Sequence, residues 1–177
     1  AIPHPATAAP SATKPAVTPV ERQAMTLYQT AEYSRVLELL QQIPAGQQPA
    51  LELLRYGILS HLKLGKPEEA WKLDTKLVAD NRPDEPAVLR DIARSFIVTR
   101  VRDTQEHIRI AAYTALAEMG ESDTLPILED GLLDSSALVR ARAAEAIGRA
   151  GLAGRSSALK RALRDEAPGV RIAAINA

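Results

Sequence analysis

The chain has 177 residues, of which 46% are hydrophobic and 3% aromatic, and its 22 basic and 22 acidic residues give no net charge. This length suffices for one or two compact units with an aliphatic core, while the neutral charge and scarce aromatic rings argue against a nucleic-acid-binding surface. The lack of cysteine excludes disulfides and thiolate–zinc sites, and no apolar run reaches the ~18 residues of a membrane span.

Residues 1–19 are rich in alanine, threonine and proline, and one lysine is their only charged residue. Such a composition buries too little apolar surface to offset the entropy of ordering, so we predict a disordered segment. The chain starts with Ala1, and a start made of small residues is typical of an exported protein after leader cleavage or of a trimmed linker. We favour export, for example to the periplasm, over a cytoplasmic location.

Residues 20–84 repeat with a period of 34 residues. Ala31 corresponds to Gly65 and Val36 to Ala70 in the two units. The apolar spacing, a small residue at each turn and a proline after each unit predict two helical hairpins. This pattern resembles the tetratricopeptide repeat in its period and its small turn residues, although the first helix of each unit departs from that family's sequence.

Residues 103–177 repeat with a different period, of 31 residues. Each unit has an aspartate, an arginine six residues later, and alanines three and six residues after the arginine. A β-branched residue precedes each arginine, and a fixed period in this range is typical of stacked helical hairpins. The charged members are Asp103, Arg109, Asp134, Arg140, Asp165 and Arg171. The predicted helices are A helices at 105–119 and 136–149 and B helices at 123–133 and 155–164.

The fullest form of this motif runs from Val139 to Gly151 in the middle unit. It resembles the HEAT repeat, in particular the short type first noted in phycobilisome lyases. The first unit departs from the pattern, because Tyr113 and Ala117 stand where the family has alanine and glycine. The resemblance implies an all-α fold, a right-handed helical-repeat solenoid.

A helix at 86–101 is predicted to join the two repeat types. Moving Leu128 back by one 31-residue period lands on Ile97, so this helix fits the second repeat as a B helix. It also begins where the next 34-residue unit would begin. We therefore predict tetratricopeptide-like repeats at 20–84, HEAT-like repeats at 85–177, and one continuous superhelix.

The third 31-residue unit stops at Ala177, inside its A helix and before any B helix. A repeat buries its apolar face only against its neighbours. We therefore expect either that the chain is a fragment of a longer solenoid or that a partner covers this end. That partner could be another copy of the chain.

The repeated charges favour a structural role over catalysis. The aspartates precede each A helix, where a carboxylate caps free N–H groups, and the arginines recur in register, which predicts a ladder between units. We expect no catalytic residue, cofactor or metal, since His4, His61 and His107 lack the clustered spacing of a metal site. Trp71 and Phe96 are single large apolar residues within helices and are predicted to lie in the core.

Charge is segregated between neighbouring repeats. Residues 103–134 carry eight acidic groups and one basic group, whereas residues 135–177 carry eight basic and three acidic groups. One explanation is that stacked neighbours screen each other. The other is that two oppositely charged patches orient a partner, and the sequence leaves both open.

The sequence predicts a non-catalytic scaffold for protein–protein interaction or complex assembly, with no nucleic-acid partner. The alternatives are a subunit of a chromophore lyase, suggested by the family name alone, and a nucleic-acid-binding solenoid of HEAT-like type. The predicted partner contacts lie in the second 34-residue unit and in the last B helix. They are Glu52, Arg55, Leu59, Leu62, Lys63, Lys160, Arg161 and Arg164.

Overall fold

The computed structural model describes residues 18–79 and 85–177. These residues form ten α-helices and two short 3-10 turns, and they contain no β-strand, which confirms the predicted all-α helical-repeat solenoid class. The helices are α1 (Pro19–Gln29), α2 (Tyr33–Gln41), α3 (Leu51–Lys63), α4 (Pro67–Ala79), α5 (Pro86–Arg100), α6 (Glu106–Met119), α7 (Leu125–Gly131), α8 (Ala137–Arg149), α9 (Ser157–Ala162) and α10 (Pro168–Asn176). Contacts divide the chain into two units, Ala1–Gly57 and Ile58–Ala177.

The first helix begins at a capping box. The N–H of Thr18 donates to the Glu21 carboxylate at 2.7 Å, and the N–H of Glu21 donates to the Thr18 hydroxyl at 3.3 Å. Pro19 occupies the first helical turn, where its missing N–H has no intrahelical partner to lose. The prediction of disorder for residues 1–19 is therefore wrong for residues 18 and 19, and residues 1–17 lie outside the described residues.

The first unit packs α1 and α2 around a small aliphatic core that contains Ala24, Leu27, Val36 and Leu53. The turn between the two helices places Ala31 at φ 60°, in the left-handed region that favours glycine. Its counterpart 34 residues later is Gly65, with φ 68°. The correspondence found in the sequence is therefore also present in the backbone.

Helix α3 spans the boundary between the two units, with residues 51–57 in the first and 58–63 in the second. Within the second unit, α5 contacts both α4 and α6. This is the position predicted for a helix shared by two repeat types. The boundary near residue 85 and the continuous superhelix stay predictions.

The 31-residue repeats of the second unit are built around α8. This helix packs against α6 and α10, which are the A helices of the neighbouring repeats, and also against α7. Small side chains allow close approach, because Ala143 and Ala144 have no exposed surface. Larger aliphatic side chains fill the spaces between helices, and those that are fully buried include Leu116, Leu128, Val139, Ile147 and Val170.

The A helices end as predicted, whereas the B helices are shorter than predicted. Gly120 and Gly151 adopt φ values of 63° and 69° just after α6 and α8, a backbone conformation that suits glycine. Helix α9 starts only at residue 157, because the Ser156 hydroxyl accepts the N–H of Leu159 at 3.0 Å as an N-cap. A 3-10 turn, Ser122–Thr124, similarly replaces the start of the predicted helix 123–133.

Candidate functional site

The repeated arginines and aspartates meet in pairs that link one repeat to the next. Arg109 donates from Nε and Nη2 to the two carboxylate oxygens of Asp134, at 2.8 and 2.9 Å. Arg140 binds Asp165 in the same way, at 2.9 and 3.0 Å. Such two-bond pairs have fixed geometry as well as charge attraction. The structure thus brings together two rungs of the predicted ladder.

Each arginine also fixes the turn that precedes its own helix. Its Nη1 donates to the main-chain carbonyl of the aspartate six residues earlier, at 2.8–2.9 Å in all three repeats. Arg171 makes this bond and a second one to the carbonyl of Glu166 at 3.0 Å. The guanidinium groups therefore satisfy carbonyls that the helices leave free.

The aspartates bind the main chain at the start of each A helix. Their Oδ1 atoms accept the N–H two residues later at 2.8–2.9 Å. Those N–H groups belong to Gln105, Ser136 and Ala167, which are the N-cap residues themselves. Each carboxylate thus accepts one free N–H at the start of its A helix, that of the N-cap residue, and not the N–H groups of the first helical turn.

The pairing changes the electrostatics of the ladder carboxylates. Burial by itself would raise the pKa of Asp134, but hydrogen bonds from Arg109 and from the N–H of Ser136 outweigh it and lower that pKa. The pKa of Asp165 is lowered by its hydrogen bond from Arg140, against the opposing effect of burial. Both carboxylates are therefore held in the charged form, which fits an ion-pair role.

The acidic residues of the segregated charge pattern are mostly paired with cations, whereas several of the basic residues have no carboxylate partner. Most acidic groups of residues 103–134 have a cationic partner inside the described fold. The pairs are Arg94 with Glu121 and Asp123, Arg100 with Asp103, Arg102 with Asp130, Arg109 with Asp134, and Arg149 with Glu118. Several cations of residues 135–177 have no such partner. This geometry supports mutual screening as the explanation for the acidic repeat, and a charged patch that orients a partner as the explanation for the basic repeat.

An apolar groove lies between α4 and α5. It measures about 280 Å³, and apolar side chains line it: Trp71, Leu89, Ile92, Ala93 and Phe96. Trp71 is 46% exposed, so the prediction that it lies in the core is wrong, and Phe96 is only partly buried.

The sequence contained a signal for this groove that composition alone missed. The inward face of α4 carries Ala70, Asp74 and Leu77, at helical spacing. Trp71 is one position away from that face, about 100° around the helix. The chain's single tryptophan and single phenylalanine are therefore both available to a partner, in a molecule whose described core is mostly aliphatic.

The other predicted contact residues lie on two helices. On α3, Arg55 and Lys63 are exposed, whereas Glu52, Leu59 and Leu62 are only partly exposed. Glu52 and Arg55 belong to the first unit and the other three to the second. The remaining candidates lie on or just after α9, and all of them are exposed; they are Lys160, Arg161 and Arg164.

Two further features are absent from the described part of the chain. Among residues 18–79 and 85–177, no group of three or more histidine, aspartate or glutamate side chains is placed to hold a metal ion. Over the same residues, none of the helices combines the length and apolar character needed to cross a membrane.

Comparison with known proteins finds one match to a family model. Residues 86–148 match the sequence model of the family described as HEAT repeats. The match runs from α5 almost to the end of α8, so the prediction of HEAT-like repeats is confirmed for this segment. No curated protein sequence matches the chain.

Proposed function

We propose that the protein is a non-catalytic scaffold or assembly subunit that binds a protein partner along the surface of its helical repeats. The HEAT match supports this proposal, because solenoids of this kind present extended binding surfaces. The charges that repeat in register also support it. They pair with each other or with main-chain carbonyls, as expected of structural groups rather than reactive ones.

The observation that carries the proposal is the groove of Trp71 and Phe96. Exposed apolar surface costs free energy in a soluble protein, and contiguous apolar patches often mark binding sites. Tryptophan is enriched among the residues that dominate interface energies. We infer that apolar side chains of a protein partner occupy this groove.

Two finer assignments belong to the same proposal. The 34-residue units of α1–α4 are tetratricopeptide-like hairpins, supported by their period and by the paired left-handed turns at Ala31 and Gly65. The 31-residue units are of the phycobilisome-lyase type, supported by the motif from Val139 to Gly151. Residues on α3, among them Lys63, contribute further contacts.

The test is quantitative affinity capture from the source organism with the 177-residue chain as bait. Trp71→Ala/Phe96→Ala should lose partners that the unaltered chain retains. The matched control is Leu138→Ala, which removes a 63% exposed apolar side chain of α8 outside the groove. If the groove variant and the control retain the same proteins, the groove is not the binding surface and the proposal fails.

A further inference from the structure

We propose that a second surface, a basic patch on and around α9, binds an acidic protein segment that also carries apolar side chains. The patch consists of Arg155, Lys160, Arg161 and Arg164. It is separate from the groove that carries the scaffold proposal, so the two can be tested independently.

The four cations of the basic patch are exposed and unpaired. Each is solvent-exposed, and none has an acidic partner within 4.0 Å among the described residues. The other cations of residues 103–177 are bound to carboxylates or main-chain carbonyls. They are Arg109, Arg140, Arg142, Arg149 and Arg171. Within residues 103–177, the cations without a bound partner therefore all lie in one ten-residue stretch, 155–164.

The spacing of these cations concentrates the charge. Lys160 and Arg161 lie in the last turn of α9, and Arg164 follows the end of that helix, where its N–H donates to the carbonyl of Arg161 at 3.0 Å. Like charges at such spacing repel each other. An acidic ligand would relieve that repulsion, so the patch is complementary to carboxylates rather than to a neutral or basic partner.

The patch is held on a fixed support. Ala158, Leu159 and Ala162 are buried beneath it. The start of α9 is bound to α7, because the Ser156 hydroxyl donates to the Glu129 carboxylate at 2.7 Å and the N–H of Ala158 donates to the same oxygen at 3.4 Å. A ligand would therefore meet cations whose backbone is already ordered, which lowers the entropic cost of binding.

Apolar surface next to the cations favours a protein segment over nucleic acid. Leu163 lies between Lys160 and Arg164 in the sequence, and its side chain is 44% exposed. Leu133, which occupies the position of Arg164 one repeat earlier, is 78% exposed. The stretch 155–164 contains no aromatic residue on which a base could stack. Carboxylates interleaved with aliphatic side chains match this mixture, whereas a phosphate backbone matches only its charge.

The experiment is a fluorescence-anisotropy titration of the 177-residue chain with a labelled peptide of repeated Glu-Glu-Leu units. The unaltered chain should bind it, with an affinity that falls as salt rises. Lys160→Glu/Arg161→Glu/Arg164→Glu should weaken binding by about tenfold or more, because three attractions become repulsions. Lys160→Gln/Arg161→Gln/Arg164→Gln should weaken it less, and Leu163→Ser should weaken it with little change in salt dependence.

The matched control has the same total charge. Arg22→Glu/Lys66→Glu/Arg90→Glu reverses three exposed cations outside the patch and should bind the peptide nearly as well as the unaltered chain. Equal losses of affinity in this control and in the Lys160→Glu/Arg161→Glu/Arg164→Glu variant would show that binding depends only on net charge, and would overturn the proposal. A thymidine oligonucleotide of equal charge that binds more tightly than the peptide would also overturn it. Melting curves by circular dichroism show whether each variant is folded.

Discussion

Arg140 is a cation with only 8% of its surface exposed. A charge that loses contact with water is costly unless it is paired and hydrogen-bonded. Arg140 meets this condition through two bonds to Asp165 and one to the carbonyl of Asp134. Removing its side chain would leave a carboxylate and a carbonyl without their donors, at a contact between two repeats.

Arg140→Ala should therefore lower the free energy of unfolding, by about 1–3 kcal/mol. Urea denaturation followed by circular dichroism measures the change. The control is Arg142→Ala, whose ion pair with Glu145 lies within one helix and is more exposed, so its effect should stay within about 0.5 kcal/mol. An unchanged denaturation midpoint for Arg140→Ala would show that the ladder contributes nothing to stability.

His61 leads to a second prediction, which concerns how the stability of the fold depends on pH. Burial lowers the pKa of His61, with Glu69 acting in the opposite direction and Lys66 in the same direction. Its Nδ1 atom is buried without a hydrogen-bond partner. In the unfolded chain the pKa returns to about 6.5, so below that pH the unfolded state binds the proton more readily than the folded state. The neutral histidine thus contributes stability above about pH 6.5 that is lost as pH falls towards the folded pKa.

His61→Gln should flatten the loss of stability between neutral pH and about pH 5. Chemical denaturation at a series of pH values measures this slope. His107→Gln, which changes an exposed histidine, should keep the slope of the unaltered chain. The lowered pKa values of Asp134 and Asp165 act in a more acidic window, so they do not confuse the comparison. Identical slopes in the unaltered chain and His61→Gln would contradict the assignment.

At the scale of helices, the repeated positions could be predicted from the sequence, whereas the packing of residues that depart from the repeat could not. The A helices could be placed because aspartate, arginine and alanine recur at fixed positions. Tyr113 could not be interpreted from its own repeat, where it replaces an alanine. It is accommodated by Gly131, at the position of Ala162 one repeat later, since a Cβ atom there would lie 2.6 Å from the tyrosine ring. Such a compensating pair is visible only once α6 and α7 are packed.

The turns of the 34-residue units yield an element-scale prediction. Ala31 holds a left-handed conformation that costs a residue with a Cβ atom roughly 1–2 kcal/mol. Glycine avoids this cost, but it also makes the unfolded chain more flexible, which offsets part of the gain in stability. Ala31→Gly should therefore raise the free energy of unfolding by up to about 1 kcal/mol. Gly65→Ala is the converse, and it isolates the backbone effect, because a Cβ at Gly65 meets no atom within 4 Å. It should lower stability by about 1 kcal/mol, and changes of the same sign in both variants would contradict the correspondence.

At the scale of the whole chain, charge and aromatic content were misleading as averages. A net charge of zero conceals an acidic repeat whose carboxylates are mostly paired and a basic stretch whose cations are not. An aromatic content of 3% conceals the meeting of Trp71 and Phe96 in one groove. Composition bounds the class of protein, but binding surfaces depend on which side chains the fold leaves unpaired, and that requires packing.

Solenoid stability depends on contacts between neighbouring repeats, which leads to a prediction for the unit Ile58–Ala177. Helix α8 contacts α6, α7 and α10 and buries Val139, Ala143 and Ile147 among others. Helix α4, in contrast, leaves Trp71 and Val78 about half exposed. The main-chain amides of α8 should therefore exchange with deuterium about tenfold or more slowly than those of α4. Mass spectrometry of peptides after timed exchange measures both helices in one sample.

Arg140→Ala should speed exchange in α8 more than in α4, because the ion pair that it removes joins α8 to the turn before α10. Slower exchange in α4 than in α8 would mean that the 31-residue stack is not the stable part of this unit.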